Sequence, residues 1–301
     1  MHLSLTRQQT NVLEALAQFQ YLSCSQMVRY GVGKSRSYLR DEVIPKIART
    51  RPALVHGTGF GVIPRIGQLE KIYHLTETGV RYIAEYLRCD PSEIVYPRYG
   101  IQFQNDYFHR KALIDFHISL RLWEKQDNDR QIDFFNAYYT KGKNRLSINN
   151  IRFKTHVSFS PHGRKTIEPD GIFSFRDTEQ ASPILCAVEV HRKHDTQYIT
   201  QQLNDHITAL DQTLIPERHR SETMNIVLSI HEKPGSLKGV QKRLLELHDF
   251  KEFMPYFHFN LMGNIRENLS KDWIKADGTS SELFNIKHWK YLKHFQYLHL
   301  I

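Results

Sequence analysis

The sequence has few of the residues that would indicate a disulfide-bonded or membrane protein. Its three cysteines, Cys24, Cys89 and Cys186, are odd in number and far apart. They therefore predict buried thiols rather than a disulfide framework or a Cys-x-x-Cys zinc site. There is no run of about 18 apolar residues, and the first residues lack the apolar stretch of a secretion signal. We expect a cytoplasmic protein without a membrane segment.

Two common enzyme signatures are also missing. The glycine-rich stretch Gly57-Thr-Gly-Phe-Gly61 precedes no predicted helix and has no Lys-Ser/Thr after it, so it does not match a phosphate-binding loop. The 17 histidines form no His-x-x-x-His pair with a matched acidic residue, which argues against a zinc hydrolase of that type. We find no internal repeat and no low-complexity tract.

What the sequence does have is excess positive charge. The formal net charge is +9, which favours anionic partners, nucleic acid above all. Residues 1–90 hold 12 Lys and Arg against 7 Asp and Glu. A surplus of this size also suits simple solubility, so charge alone does not decide the function.

The first 97 residues predict a winged helix-turn-helix. Apolar spacing favours helices over 5–19, 23–30 and 35–49, with Thr6 or Ser4 and then Ser23 as caps. Pro45 predicts that the third helix is kinked or split. Two strand-like runs, 53–56 and 72–75, flank the glycine-rich turn, and a helix over 79–86 follows.

In this layout the third helix is the recognition helix, whose first turns meet the major groove of double-stranded DNA. The predicted DNA-binding residues there are Lys34, Arg36, Ser37 and Arg40. Arg can read guanine, whereas Lys and Ser more often hold phosphate. Winged helices also serve as protein-docking modules, so that alternative stays open.

A Pro- and Gly-containing linker over 89–100 predicts a domain boundary between residues 97 and 98. The second domain, 98–301, begins with a long amphipathic helix over 106–126. Strand-like runs follow at 132–135, 153–159, 171–175 and 184–190, then a helix over 196–210, a strand over 224–230 and a helix over 237–249. An aromatic tail closes the chain at Trp289, Tyr291, Phe295 and Tyr297. The fold class we predict is α/β, α+β overall.

Two carboxylates in the second domain predict a metal site. Asp170 precedes one predicted strand and Glu189 lies near the end of the next. Neighbouring strands can bring such carboxylates together at one sheet edge, where they would hold a divalent ion with open water positions. His191 shares the face of Glu189, because side chains alternate along a strand, so it is a candidate base or phosphate contact. Alternatively, Asp170 is a turn residue of Pro-Asp-Gly, and Glu189 forms a salt bridge with Arg192 or Lys193.

Pro169-Asp170 … Glu189-x-His191 resembles the Pro-Asp…(Asp/Glu)-x-Lys signature of restriction-endonuclease-like nucleases. Together with Tyr73-x-Leu-Thr-x-x-Gly79 and His109-x₅-Asp115-Phe116, it makes residues 1–230 similar to the replication-relaxation family of mobile elements, which includes MOBC-type relaxases. The resemblance implies a mixed-sheet nuclease domain and Mg²⁺ or Mn²⁺ bound by Asp170 and Glu189, with Asp115, or alternatively His109, as a further ligand. Arg192 and Lys193 would then contact DNA.

The resemblance also departs from the family pattern, because His191 stands where a lysine is expected. A neutral histidine can accept a proton near pH 7, and Lys193 would substitute only if the strand continued past His191. The leading hypothesis is therefore a metal-dependent endonuclease or relaxase acting at an origin-like plasmid site. The alternatives are a catalytically inactive, sequence-specific DNA-binding regulator and an adaptor for other mobilisation proteins.

Overall fold

A computed structural model describes residues 4–97, 106–139, 157–159, 166–177, 183–219, 221 and 225–284. Helices and sheets both occur, so the predicted α+β class is confirmed. Contacts divide the chain into two compact units, residues 1–118 and 119–301, and the division falls inside the helix Tyr107–Glu124. No helix in the described ranges is both long and apolar enough to cross a membrane. Residues 153–156 of one predicted strand and the aromatic tail lie outside these ranges.

The first unit begins with helix α1, Arg7–Phe19, which starts at one of the two predicted caps. The Thr6 side chain accepts a hydrogen bond from the backbone of Gln9, and the Gln9 side chain accepts one from the backbone of Thr6. This reciprocal pair satisfies two amides that a helix start otherwise leaves open. Leu13 and Leu16 of the same helix are fully buried.

Helix α2, Cys24–Arg29, follows the short strand β1, Leu22–Ser23. It repeats the same capping arrangement, with Ser23 as the predicted cap and Gln26 returning the bond. Both helices thus start at predicted caps, because short polar side chains fix a helix start locally.

The predicted third helix is one helical segment with an irregular middle. It consists of α3, Arg36–Tyr38, a π turn over Leu39–Val43, and α4, Ile44–Ala48. Pro45 has no amide hydrogen to donate, and the wider turn before it accommodates this defect. Of the two predicted outcomes, a kink or a split, the segment shows no break, and its irregularity is the π turn that precedes Pro45.

The remaining regular elements of residues 4–97 are β2, Val55–Thr58; β3, Val62–Ile63; β4, Gly67–Gln68; β5, Ile72–Leu75; α5, Glu77–Leu87; and a 3-10 turn, Pro91–Glu93. Strand β5 lies between β1 and β2 and is antiparallel to both. The β3–β4 hairpin was not predicted. Its turn holds Arg65 and Gly67 at positive φ angles of 67° and 90°.

The second unit contains the end of α6, Tyr107–Glu124, and the following described elements: β6, Arg130–Ala137; β7, Gly171–Asp177; β8, Ile184–His191; α7, Thr196–Asp211; α8, Leu214–His219; β9, Ile226–His231; α9, Pro234–Leu245; α10, Phe250–Phe253; β10, Phe257–Leu261; and α11, Met262–Glu267. The other predicted strands and helices of this domain occur here, but the described residues 157–159 of the predicted strand 153–159 form only an isolated bridge between Phe159 and Ile167. Strand β10 and the helices α8, α10 and α11 were not predicted.

The strands of the second unit form one mixed sheet in the order β10-β9-β8-β7-β6. Strand β7 is antiparallel to both β6 and β8, whereas β8, β9 and β10 run parallel to one another. All residues of β8 and β9 are buried. This explains their nearly continuous apolar runs, because a strand covered on both faces has no reason to alternate polarity.

Each face of this sheet has its own apolar core. On one face, Val227, Phe257 and Phe259 pack with side chains of α7 and α9, such as Leu203 and Val240. On the other face Trp123 contacts Phe175 and Phe284, with ring centroids 5.6 and 5.2 Å apart. Odd-numbered side chains of β8 point to the face covered by α7, and Glu189 is one of them.

Gly79, near the start of α5, tests how tightly the first unit is packed. A Cβ atom at this position would lie 2.0 Å from the backbone oxygen of Leu54. We expect Gly79→Ala to lower the free energy of unfolding by about 2 kcal/mol, because a backbone oxygen cannot move aside as a side chain can. Urea denaturation measures this. Gly59→Ala, which has open space around its Cβ, is the control and leaves stability nearly unchanged; equal effects of the two would contradict the packing.

Candidate functional site

The register of β7 and β8 positions the two predicted metal-binding carboxylates. Gly171, the first residue of β7, pairs with Val188 of β8. Asp170 and Glu189 lie one residue further along each strand, so they occupy opposing positions at the same end of this antiparallel pair. The carbonyl of Asp170 also accepts a hydrogen bond from the amide of Tyr138, at 2.9 Å. The backbone at Asp170 is therefore held to the residue after β6.

The carboxylate of Asp170 is bound to the backbone of β8. Its Oδ2 atom accepts a hydrogen bond from the amide of Val190 at 2.7 Å. An amide hydrogen bond to a carboxylate is stronger than one between neutral groups, so this contact fixes the Asp170 side chain beside Glu189.

The carboxylate of Glu189 is buried and has a histidine partner. Glu189 is 3% exposed, and its Oε1 atom lies 2.7 Å from Nε2 of His206 on α7. A buried carboxylate is costly unless a donor compensates for the lost water. His206 is that donor, and it replaces the salt bridge to Arg192 or Lys193 that the sequence left as an alternative.

His206 was not predicted to belong to the site. Burial lowers its pKa to about 4, and the negative charges of Asp205 and Asp170 only partly oppose this effect. The imidazole is therefore neutral at pH 7, with Nε2 carrying the hydrogen that Glu189 accepts. The other ring nitrogen, Nδ1, is buried and has no hydrogen-bond partner among the described residues. Sequence spacing held a signal, because His206 falls two turns after the buried Ile199 on the apolar stripe of α7.

His191, the candidate base, ends β8 and is 5% exposed. Its ring centroid lies 4.8 Å from that of His231, its registered neighbour on β9. Ser229 and Ser236 hold the two nitrogens of His231 at 2.9 and 3.1 Å. Burial lowers the pKa of His231 to about 4, so a neutral ring packs against His191.

The residues after His191 lie outside the strand. Because β8 ends at His191, strand alternation does not bring Lys193 to the face of Glu189. Lys193 is exposed, and Arg192 forms an ion pair with Glu232 at 3.0 Å. Lys193 thus fails the condition under which it would take the place of the expected lysine.

Asp115, the third predicted ligand, belongs to the first unit. Its Oδ1 atom accepts a hydrogen bond from Gln26 of α2 at 2.8 Å, and its backbone oxygen accepts one from Arg29. Asp115 is 6% exposed. Its role as a metal ligand stays a prediction.

Within the described part of the chain, no three His, Cys, Asp or Glu side chains are grouped so that they could hold a metal ion. The pair Asp170 and Glu189 is therefore the largest set of acidic ligands that the predicted site contributes. Magnesium is commonly bound by only one or two protein carboxylates, and water and substrate phosphates complete its shell.

The predicted DNA-binding residues of the first unit are all exposed: Lys34, Arg36, Ser37 and Arg40. They lie at the beginning of the helical segment 36–48 or just before it. Arg40 forms a bidentate pair with its neighbour Asp41 at 2.7 and 2.8 Å. Since both side chains are largely exposed, this pair adds little stability, and Arg40 can exchange it for another anion.

Glu70 is a second residue that sequence reasoning missed. Its carboxylate contacts Arg36 at 3.0 Å, Lys111 of α6 at 2.6 Å, and the hydroxyl of Ser25 at the start of α2. Burial alone would raise the pKa of Glu70, but the hydrogen bonds from Lys111 and Ser25 and the nearby positive charges outweigh it and lower the pKa. Glu70 therefore orients Arg36 while that side chain stays 64% exposed.

No protein-family model matches this chain, and no curated protein or solved structure is significantly similar to it.

The contact between Glu189 and His206 can be measured with a double-mutant cycle. We expect His206→Ala to lower the free energy of unfolding by about 3 kcal/mol, because it leaves a buried carboxylate without its donor and opens a cavity. When His206→Ala is combined with Glu189→Gln, we expect urea denaturation to give a coupling energy of about 2 kcal/mol between the two residues. His248→Ala, at a fully exposed histidine beside Asp249, is the control and has no measurable effect. A coupling energy near zero would contradict the assignment of His206 as the donor.

Buried neutral histidines also predict a pH dependence. Burial lowers the pKa of His206 and His231 to about 4 and that of His258 to about 3. The unfolded chain takes up protons near pH 6.5, while the folded chain does not, so the free energy of unfolding falls as the pH drops from about 7 to about 5. Urea denaturation across this range checks the decline. His258→Asn removes one such group and should make the decline shallower; an unchanged slope would contradict the prediction.

Proposed function

We propose that this protein binds double-stranded DNA through its first unit. The observation that carries the proposal is the set of exposed polar and basic side chains at the start of the helical segment 36–48: Lys34, Arg36, Ser37 and Arg40. The later part of the same segment carries the buried residues Ile44 and Ile47. One end of the segment is therefore packed, and the other is available to a partner.

The order of elements supports this proposal. Helix α1, strand β1, helix α2, the segment 36–48, the β2–β5 hairpin and helix α5 follow the layout of a winged helix-turn-helix. In such a domain the second helix of the motif presents its first residues to base edges in the major groove. Arg36 and Arg40 are suited to guanine, and Lys34 and Ser37 to phosphate. The exposed Arg65 at the β3–β4 turn offers a further contact with the DNA backbone.

Glu70 gives Arg36 the fixed direction that base readout needs. A long arginine loses conformational entropy when it docks, and a partner that already holds it reduces this loss. The guanidinium is contacted at Nε by Glu70, at 3.0 Å. The terminal nitrogens of Arg36 are suited to donate to the acceptors of a base, and the ion pair with Glu70 sets their orientation.

A second candidate activity is metal-dependent cleavage of DNA by the second unit. Its support is the convergence of Asp170 and Glu189 on His206. Burial lowers the pKa of this histidine, the negative charge of Asp170 partly opposes that effect, and Glu189 accepts the hydrogen bond of the ring. The pattern Pro169-Asp170 … Glu189-x-His191 and the run of three antiparallel strands, a helix and a parallel strand agree with the resemblance to restriction-endonuclease-like nucleases and MOBC-type relaxases.

The donor set fits Mg²⁺ or Mn²⁺, because both protein ligands are hard carboxylate oxygens. Asp170 and Glu189 would hold the ion, which when bound lowers the pKa of a water ligand and stabilises charge on the phosphate. Oε1 of Glu189 already accepts the hydrogen bond from His206. His191 would accept a proton or contact phosphate, and its close packing against His231 keeps its ring in one orientation. Only the family resemblance makes Asp115 a third ligand.

If the second unit holds no ion, the protein is a DNA-binding regulator or an adaptor for mobilisation proteins. The absence of the expected lysine favours this alternative, since the residue in its place, His191, is a buried histidine. Sequence-specific binding would then persist without hydrolysis.

The DNA-binding proposal predicts different effects at Arg36 and Lys34. With a duplex selected from a random library, Arg36→Ala is expected to weaken binding by about tenfold to hundredfold and to relax the base preference at one position. Lys34→Ala should weaken binding to all duplexes and reduce the salt slope by about 1. Fluorescence anisotropy over a salt series measures both. Lys46→Ala, at the other end of the segment 36–48, is the matched control; equal effects at all three positions would overturn the proposed face.

The cleavage candidate is tested on supercoiled plasmid carrying the selected site. Mn²⁺ should support nicking by the wild type, and Asp170→Asn or Glu189→Gln should abolish nicking while leaving duplex affinity within about twofold, since the DNA-binding residues are untouched. Calorimetric titration with Mn²⁺ alone provides a readout independent of turnover. Nicking that survives both substitutions would refute this assignment. If the protein binds DNA but neither nicks it nor takes up Mn²⁺, the cleavage candidate is wrong and the DNA-binding regulator is the remaining alternative.

A further inference from the structure

The second unit carries a basic surface beyond the ends of strands β8 and β9. We define the α9 basic surface by six exposed residues: Lys193, His194, Lys233, Lys238, Lys242 and Arg243. Lys193 and Lys233 follow the paired residues His191 and His231 at the same offset. Because β8 and β9 are parallel, both lysines emerge at the same sheet edge.

Close packing joins the segment after β8 to helix α9. A Cβ atom on Gly239 would lie 2.8 Å from the methyl carbon of Thr196, and one on Gly235 would lie 4.0 Å from the ring of His194. Arg243 Nε donates to the hydroxyl of Thr196 at 3.2 Å. The hydroxyl of Ser236 donates to the backbone oxygen of Lys193. One stripe of α9 therefore lies along residues 193–196.

Two of the lysines flank this stripe on the solvent side. Lys238 and Lys242 are three residues after Gly235 and Gly239, so they lie on the neighbouring row of the same helix. Both are exposed. Their positive charges therefore stand beside those of Lys193 and Arg243 rather than on a separate side of the unit.

The acidic residues nearby do not cancel this charge. Asp195 caps α7 by accepting a hydrogen bond from the amide of Tyr198, at 3.0 Å. Glu232 is paired with Arg192 at 3.0 Å. Glu246 lies on the exposed side at the far end of α9. Helices α7 and α9 also both begin here, and the partial positive charge of each helix start adds to the potential.

Helix α7 also carries an exposed aromatic ring near its start. Tyr198, in the first turn of α7, is 61% exposed. A surface that combines basic side chains with an exposed aromatic ring suits nucleic acid, because the phosphates meet the charges and a base can stack on the ring.

We propose that the α9 basic surface binds the phosphate backbone of nucleic acid. This contact is separate from the one proposed at the segment 36–48, because it uses residues of the other unit. It goes beyond the predicted role of Lys193 by assigning Lys233, Lys238, Lys242 and Arg243 to the same contact. The assignment rests on charge complementarity, because a basic surface suits a polyanionic partner. Stacking of a base on Tyr198 would favour single-stranded nucleic acid over a duplex, whose bases are already stacked.

The test compares two double variants of the full chain. Lys238→Gln with Lys242→Gln removes two charges from the surface. Lys251→Gln with Lys271→Gln removes two exposed lysines of the second unit that lie on other elements, α10 and the segment after α11. Fluorescence anisotropy measures binding of labelled oligothymidine and of a duplex without the selected site, each over a salt series.

We expect the Lys238/Lys242 variant to bind at least one of the two probes about tenfold more weakly and to lose about 1.8 from the salt slope on duplex, as two lost phosphate contacts require. Tyr198→Ala should weaken binding of oligothymidine more than of duplex, while Tyr198→Phe should not. If the Lys238/Lys242 variant matches the control pair on both probes, the proposal is wrong. Loss of binding in Arg36→Ala but not in the α9 variant would overturn this surface alone and leave the first-unit contact standing.

Discussion

The second unit depends on a hydrogen bond between a buried carboxylate and a buried imidazole. Glu189 lies on β8, the central strand of the five-stranded sheet, where it is only 3% exposed, so a donor from α7 has to satisfy it. His206 meets this need in its neutral form, because burial opposes its protonation. The contact fixes the packing of α7 on the sheet. The other ring nitrogen of His206, Nδ1, is then a buried acceptor that receives no hydrogen bond from the described residues.

The first unit uses a carboxylate in a comparable way, but with cations. Glu70 connects α2, the start of the segment 36–48 and α6 through Ser25, Arg36 and Lys111. In both units one acidic side chain organises elements that are distant in sequence. The difference is exposure: Glu189 is enclosed, whereas the cluster around Glu70 leaves Arg36 open to a partner. This contrast is why binding of DNA is the stronger proposal and hydrolysis the second.

Much of the local structure followed from the sequence. Thr6 and Ser23 marked the two helix starts, and Pro45 marked the irregular helix, because each acts on its immediate backbone neighbours. The β3–β4 hairpin was missed because its strands are two residues long and exposed. Strand β10 was missed because it becomes a strand only by pairing with β9, which a single segment does not reveal.

The candidate site divides in the same way. Sequence alone indicated that Asp170 precedes one strand and that Glu189 lies near the end of the next. It also indicated that His191 shares the face of Glu189, since strand alternation is local. Only the tertiary structure decided that His206 is the partner of Glu189 and that β8 stops before Lys193. The physical reason is that a pattern of side chains fixes which face is buried, whereas the partner of a buried charge depends on which helix covers that face and in what register.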